Sequence, residues 1–331
     1  QPIIRGMSGP RVKILKNGVV NRDVSGLGVD HLNDVDLHDI SQVEIVKGPS
    51  SLLYANGTIG GIINIVDDCI SALNYELPEI SVGYETQSVN DGNAENFNFK
   101  NNINGFNVNF GYKNIDFGNY DIPSGAILHE EEDHDDHDDH DEDEHHDEDM
   151  GFLNNSDYAV EATKFGISKV GDWGYVGFSV DNLESVYGIP FHGDEHGDEH
   201  GDEHGDEHGD EEEHDEHGEE RIFSTTDSES FTIKGSYNIN GSLINKIDFN
   251  YRDSDYSLTE AHEEEEHHEE EEHDEEEEHE EHAPTVFMNE AVEYGATFDI
   301  SNDSSTQKVV VNFVDEDNSI VGEEAFMNPA N

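Results

Sequence analysis

The sequence predicts a mainly β protein in which a compact domain of short mixed strands precedes a series of longer antiparallel strands. Three observations support this fold class. Residues 1–70 contain short aliphatic runs separated by Gly, Asn, Asp or Pro. From about residue 79 onward, apolar and polar residues alternate with a period of two. Three segments built almost entirely of His, Asp and Glu interrupt this alternating region.

The first domain is expected to span residues 1–70, with a linker over 71–78. Its apolar runs Val12–Leu15, Val43–Val46 and Ile62–Val66 are short and bounded by turn residues, which predicts short strands. The chain has one cysteine, so a disulfide framework and a thiolate zinc site are both excluded.

The region 79–331 is predicted to form long antiparallel strands. Residues 106–112, 231–239 and 247–251 alternate strictly between apolar and polar or small side chains. Such alternation places one face in an apolar medium and the other in a polar one. A soluble sandwich and a membrane barrel both satisfy this pattern.

Loop lengths favour the barrel. Nine strands are predicted near residues 79–87, 95–103, 105–116, 156–170, 173–190, 221–239, 243–260, 285–300 and 306–318. The connections between them alternate between short and long, as in an outer-membrane barrel with short periplasmic turns and long extracellular loops. Strands of 12–18 residues also exceed the usual globular length. We therefore expect transmembrane barrel strands in contact with outer-membrane lipid.

The three acidic histidine runs are residues 129–149, 192–220 and 262–282. They hold 19 of the 21 histidines and 46 of the 81 acidic residues, and they contain no Lys or Arg. Outside them, 35 acidic residues face 15 basic ones, so nucleic acid is a poor partner because the field repels phosphate. Two predicted strands separate each run from the next. All three runs should therefore emerge on the same side of the sheet.

Imidazole and carboxylate are side-chain ligands that suit divalent metals such as Zn²⁺. Glycine recurs every four residues in the second run and adjacent carboxylates repel, so these loops are expected to be disordered and to offer many weak sites. A solvating acidic shield would explain the carboxylates but not the histidines. The candidate ligands in the runs are His134, His137, His140, His145, His146, His192, His196, His200, His204, His208, His214, His217, His262, His267, His268, His273, His279 and His282.

Residues 43–66, VEIVKGPSSLLYANGTIGGIINIV, resemble the core motif of the plug domain of TonB-dependent outer-membrane receptors. Gly48 and Pro49 should end a strand, and the later glycines should permit a tight backbone path. We interpret these residues as structural. The residues that match the motif are Glu44, Lys47, Gly48, Pro49, Leu53, Tyr54, Gly57, Gly60, Gly61 and Asn64.

Residues 2–36 resemble the plug of the zinc-uptake branch of these receptors. This resemblance implies that Asp30 and His31 belong to a discrete metal site. Two ligands do not complete a tetrahedral zinc site, so His38 and Asp34 or Asp36 are further candidates. An exposed polar loop is the alternative interpretation.

The resemblance implies an internal fragment: the second half of a plug followed by the first part of a barrel. Only nine strands are expected where large transporters close with about 22. Partnership with the TonB energy-transducing complex is expected through a TonB box that this chain lacks. The implied location is the outer membrane of a Gram-negative bacterium, with the three runs extracellular.

The leading hypothesis is a receptor that captures divalent metal, foremost Zn²⁺ as transported ligand, and imports it without an organic cofactor. One alternative keeps the fold but imports a ferric siderophore, haem or a copper complex. Another is a surface metal-binding protein that does not transport. No nucleophile–base set, phosphate loop or zinc-protease motif is present, so no enzymatic activity is expected.

Overall fold

The structure is a computed structural model of the 331-residue chain. It describes residues 2–24, 31–33, 35–37, 39–48, 51, 53–55, 58–123, 126, 151–190, 221–239, 241, 243–263, 284–302 and 304–322. Asp30, His38 and nearly all of the three runs lie outside the described residues.

The first domain contains a four-stranded sheet with strand order β2-β1-β4-β3. The strands are β1 (Val12–Lys16), β2 (Val19–Val20), β3 (Ile40–Val46) and β4 (Gly61–Asp67), and a 3₁₀ turn over Gly9–Arg11 precedes them. β1 is parallel to β4, whereas the other pairs are antiparallel. This mixed sheet confirms the expected short strands and adds the two-residue β2.

The rest of the chain forms a nine-stranded antiparallel sheet in which successive long strands are neighbours. A two-stranded ribbon of β8 and β9 lies outside this sheet, within the connection that also holds the first run. The strands are β5 (Glu79–Gln87), β6 (Gly92–Ile103), β7 (Phe106–Phe117), β8 (Tyr120–Asp121), β9 (Phe152–Leu153), β10 (Tyr158–Gly171), β11 (Gly174–Gly188), β12 (Arg221–Asn238), β13 (Lys246–Glu263), β14 (Thr285–Asp299) and β15 (Lys308–Val321).

All nine predicted strands are present, with ends that differ by a few residues. The short ribbon was not predicted, because two-residue strands carry no periodic signal. The third run was expected to be loop from its first residue, but β13 includes His262 and Glu263, which pair with Ile222 and Arg221 of β12. Continued pairing with a long neighbouring strand overrides the local composition at this boundary.

The large sheet presents an apolar row on its outer face. Cross-strand pairing joins this row over seven strands from β7 to β15. Three of its aromatic residues, Phe178, Tyr294 and Phe313, remain 41–56% exposed. The row consists of Val108, Ile167, Phe178, Ile233, Tyr251, Tyr294 and Phe313.

On most of these strands, a residue adjacent in sequence to the outer-row residue points to the inner face. These inward residues form a second row, whose side chains are polar or small. Its members include Asn109, which is 1% exposed, and Arg252, which is 8% exposed. The full row is Lys100, Asn109, Gly166, Ser179, Thr232, Arg252 and Glu293. Polar residues are therefore buried and apolar residues exposed, the reverse of a soluble sandwich and the arrangement of a membrane barrel wall.

The sheet is an unclosed barrel wall whose outermost strands are β5 and β15. This confirms the prediction of a mainly β fold with an incomplete barrel. In the part of the chain that the structure describes, no helix is long and apolar enough to cross a membrane. The strand ends that flank the three runs all lie at one end of the sheet, which we call the run end.

Candidate functional site

The plug motif organises the small sheet. The Asn64 amide donates to Glu44 Oε2 at 2.8 Å, and Asn64 Oδ1 accepts from the Gly18 amide at 2.8 Å, so this buried side chain joins β4 to β3 and to the β1–β2 turn. A Cβ at Gly61, whose φ is +144°, would lie 2.9 Å from the Val46 carbonyl oxygen. These contacts hold the β1–β2 turn, β3 and β4 of the small sheet together.

Other residues of the plug motif lie in or near the turn that follows β3. Gly48 has a φ of +81° directly after β3, and its carbonyl accepts from the Ser51 hydroxyl at 2.8 Å. Lys47 and Leu53 are exposed. Pro49 and Gly57 lie outside the described residues.

Lys16 of β1 connects the plug to the barrel wall. Its Nζ lies 2.6 Å from Asp181 Oδ1 on β11 and 3.9 Å from Asp67 Oδ2 on β4. Burial by itself lowers the pKa of Lys16, but the two carboxylates outweigh it and the net pKa is raised. Burial likewise opposes ionisation of Asp67, yet Lys16 and a hydrogen bond from Asn17 hold its pKa below the usual value. Lys16 and Asp67 are therefore both charged near neutral pH.

A second contact joins the plug loop over residues 31–39 to the wall. Asp36 lies between two wall lysines, 3.6 Å from Lys113 Nζ on β7 and 3.5 Å from Lys164 Nζ on β10. Asp39 Oδ1 accepts from Lys100 Nζ on β6 at 2.8 Å. Asp36 is one of the candidate ligands for a metal at His31. In the structure its carboxylate forms ion pairs with these two lysines.

The far side of the plug contacts the last two strands. Arg22 Nη2 lies 3.2 Å from Glu293 Oε2 on β14, and Arg22 Nη1 lies 2.5 Å from Glu316 Oε2 on β15. The plug is thus bound by ion pairs to strands at both sides of the wall. Sequence analysis missed these residues. The available signal was the charged side chains at inward positions of otherwise alternating strands.

His31 lies at the run end, between the plug and the wall. Its side chain is buried, with 8% of its surface exposed, and Nδ1 is buried without a hydrogen-bond partner among the described residues. Its ring meets that of Phe287 edge-on, with centroids 6.0 Å apart and planes at 70°. The alternative interpretation, in which His31 belongs to an exposed polar loop, does not fit a side chain that is this deeply buried.

Phe287 packs against a buried apolar cluster that contains one plug residue and five wall residues. The cluster is Val24, Tyr187, Ile189, Ile222, Tyr256 and Leu258. Ile189 precedes the second run by three residues, and Phe287 follows the third run by five. The bases of both runs therefore converge on the plug segment that carries His31.

In the described residues, no group of three or more His, Cys, Asp or Glu side chains is placed to hold a metal. Asp30, His38 and the histidines of the runs lie outside those residues, apart from His262, whose backbone belongs to β13. Of the histidines predicted to bind metal, His31 is the one whose side-chain surroundings the structure describes.

Comparisons with known proteins agree with this architecture. Residues 1–62 match the TonB-dependent receptor plug domain. A hemin receptor of Yersinia enterocolitica is 34% identical over 87 residues, which cover 26% of this chain and 12% of that protein. The vitamin B12 transporter BtuB of Vibrio vulnificus is 28% identical over 85 residues, which cover 25% of this chain and 14% of the relative.

Solved structures share the fold over nearly the whole chain. The copper transporter OprC superposes with a TM-score of 0.65 at 9% identity, over 96% of this chain and 41% of its own. The FrpB iron transporter from Neisseria meningitidis gives a TM-score of 0.63 at 12% identity, over 96% of this chain and 43% of its own. The chain thus spans less than half the length of these proteins. Residues 1–62 thus match the plug domain of TonB-dependent receptors, and the described strands share the fold of these solved transporters.

Proposed function

We propose that this chain is part of an outer-membrane receptor that captures Zn²⁺ on its three acidic histidine runs and imports it through a rearrangement of the plug. His31 is the observation on which this proposal depends most. A neutral imidazole nitrogen that is buried without a partner is costly, and coordination to a metal would satisfy it. Asp30, the neighbouring residue, would supply an anionic ligand.

Further ligands would come from the runs. Ile189 precedes the second run and Phe287 follows the third run. Both residues lie at the same end of the sheet as His31. Their histidines are mostly neutral at pH 7 and above and so are free to bind metal. The runs would raise the local metal concentration, and the site at Asp30 and His31 would select and pass on the ion.

The plug contacts support a role for plug movement. Lys16, Arg22 and Asp39 bind the plug to the wall through ion pairs. Charged contacts of this kind can be exchanged for water when energy is supplied from outside. We propose that the TonB complex of the inner membrane supplies that energy, through a TonB box outside this chain.

Metal-competition uptake in cells that express the full-length receptor tests the proposal. Wild-type cells should accumulate zinc at limiting supply, and Asp30→Ala and His31→Ala should each reduce this uptake at least tenfold, because a site with few ligands loses most of its affinity with one. Asn33→Ala is the matched control, because it removes a polar side chain from the same loop. The zinc assignment is wrong if copper or nickel competes as well as zinc.

The alternative cargoes are separated by the same assay. A ferric siderophore, haem or a copper complex would be taken up independently of the histidine runs, and its uptake would survive His31→Ala. A surface protein that only buffers metal would bind zinc normally without accumulating it in the cell.

A further inference from the structure

Two adjoining cavities lie between β1 of the plug and the inner face of the wall. Both are lined by Lys16, Asp181, Ser230 and Arg252. The smaller one has a volume of about 10 Å³ and the larger about 40 Å³, measured for the centre of a water molecule. Roughly 10–15 Å³ holds one water, so together they have room for a small ion with a few polar contacts.

The lining carries an excess of positive charge. Four bases, Lys16, Lys164, Lys234 and Arg252, face two acids in the lining, Asp36 and Asp181, and a third acid, Asp67, lies 3.9 Å from Lys16. The chain as a whole has a formal net charge of −66, so a buried positive region is the opposite of its general character. Such a region attracts an anion, and it does so more strongly where water is excluded.

Arg252 provides the second, independent observation. It is 8% exposed, and its Nε is buried without a hydrogen-bond partner among the described residues. The nearby carboxylates are engaged elsewhere, because Asp181 binds Lys16 at 2.6 Å and Glu293 binds Arg22 at 3.2 Å. Burying a guanidinium N–H without a hydrogen-bond partner is costly, and native proteins therefore rarely contain such a group.

Neutral donors complete the surroundings. The cavities are also lined by hydroxyl and amide side chains from β10 to β13, which can donate to an anion without adding charge. These residues are Thr163, Ser179, Asn182, Ser228, Ser230, Thr232 and Asn250. A water molecule could accept the hydrogen bond from Arg252 Nε. It could not balance the excess positive charge of the lining, whereas an anion could.

We propose that these cavities bind a small inorganic anion, either a halide or a tetrahedral oxyanion, with Arg252 as its principal donor. The ion joins Lys16 of the plug to Lys164 and Arg252 of the wall. It is thus a removable bridge between the two parts, at a depth below the candidate metal site. This site requires no metal and does not depend on the identity of the cargo.

Thermal unfolding of the purified, metal-free full-length receptor tests the proposal. Sodium gluconate, whose anion is too large for the cavities, is replaced by chloride, sulfate or phosphate at constant ionic strength. At least one of these should raise the wild-type Tm by about 2–4 °C more than that of Arg252→Gln, since a ligand bound to the native state stabilises it. Comparison with the variant removes the general salting effect of sulfate and phosphate.

Lys246→Gln is the matched control, because Lys246 lies on the same strand but is exposed and should respond as the wild type does. An equal rise in wild type and Arg252→Gln for every anion would overturn the proposal. If Arg252→Gln does not fold, crystals of the wild type soaked in bromide or selenate decide the question. An anomalous peak in contact with the Arg252 guanidinium supports the site, and the absence of a peak there with both ions refutes it.

Discussion

Lys16 Nζ of the plug lies 2.6 Å from Asp181 Oδ1 of the barrel wall, across 165 residues of sequence. Both side chains are 16% exposed, so this pair is largely shielded from water. It lies beside Asp67 and borders both cavities, which makes it the central polar contact between plug and wall.

Removal of one partner of this pair should destabilise plug docking. Lys16→Met leaves Asp181 buried without its cation, and we expect a loss of about 2–4 kcal/mol in the full-length receptor. Amide hydrogen exchange of β1 and β4 measures the change locally. Lys246→Met is the control, because its pair with Asp248 is exposed and should contribute less than about 1 kcal/mol. Equal losses in the two variants would contradict this interpretation.

The plug contact and the metal runs should respond to different pH ranges. The pKa of Asp67 is lowered on folding, so its contribution is present above about pH 4 and is lost as the pH falls through the lowered pKa. The pKa of Lys16 is raised, so its contribution is present below about pH 10 and is lost only as the pH rises through the raised pKa.

Histidine binds metal as the neutral imidazole, with an unperturbed pKa of about 6.5. Acidification from pH 7.5 to 5.5 should therefore release most of the bound zinc and leave the hydrogen-exchange protection factors of β1 unchanged. Equilibrium dialysis and exchange on the same samples provide both readings. Loss of β1 protection in parallel with zinc release would show that the two events are coupled.

The outer apolar row should be sensitive to charge. Ile233 lies between Phe178 and Tyr251 on the exposed face, where we expect lipid. Ile233→Lys should cost about 2–4 kcal/mol in a lipid bilayer if the position is near its midplane. Ile233→Leu keeps the apolar surface and should be nearly neutral. Refolding equilibria in vesicles measure both, and a neutral lysine variant would place this row outside the hydrocarbon.

Gly166 on β10 contacts the segment that follows β4 and leads into the linker. A Cβ at this position would collide with the carbonyl group of Cys69, a backbone group that has little freedom to move. Gly166→Ala should therefore cost about 1–3 kcal/mol. In Gly111→Ala the added carbon would meet side-chain atoms of Lys164 and Asn98, which can move more easily than a backbone carbonyl, so a smaller loss is expected. Comparison of the two by urea unfolding tests whether the linker is firmly held, and equal losses would argue against it.

The acidic histidine runs should matter most when metal is scarce. Deletion of all three runs removes the weak sites but leaves Asp30 and His31, so zinc uptake should fall at limiting zinc and approach the wild-type rate at high zinc. Replacement of the runs by Gly/Ser linkers of equal length controls for loop length. Equal uptake by the deleted form at limiting zinc would remove the runs from the proposed function.

Strand positions were predictable because alternation along one strand is a local property. The nine long strands and the placement of the runs at one end could be derived from residues 79–331 alone. The ribbon of β8 and β9 and the extension of β13 through His262 could not, because both depend on pairing with a neighbouring strand. Among candidate site residues, His31 was found through its motif, whereas Lys16, Asp181 and Arg252 carry no local signal.

The sequence by itself determined that each long strand has two unlike faces, and that the strand ends flanking the three acidic histidine runs lie at one end of the sheet. Alternation alone left open which face would be buried, because it is equally compatible with a soluble sandwich, although the alternating loop lengths favoured the barrel. Only the tertiary structure decided this, by placing the plug against the polar face and leaving the row through Phe178, Tyr251 and Tyr294 exposed. The physical reason is that the medium around a side chain depends on what packs against the sheet, and the plug residues that pack there are distant in the chain.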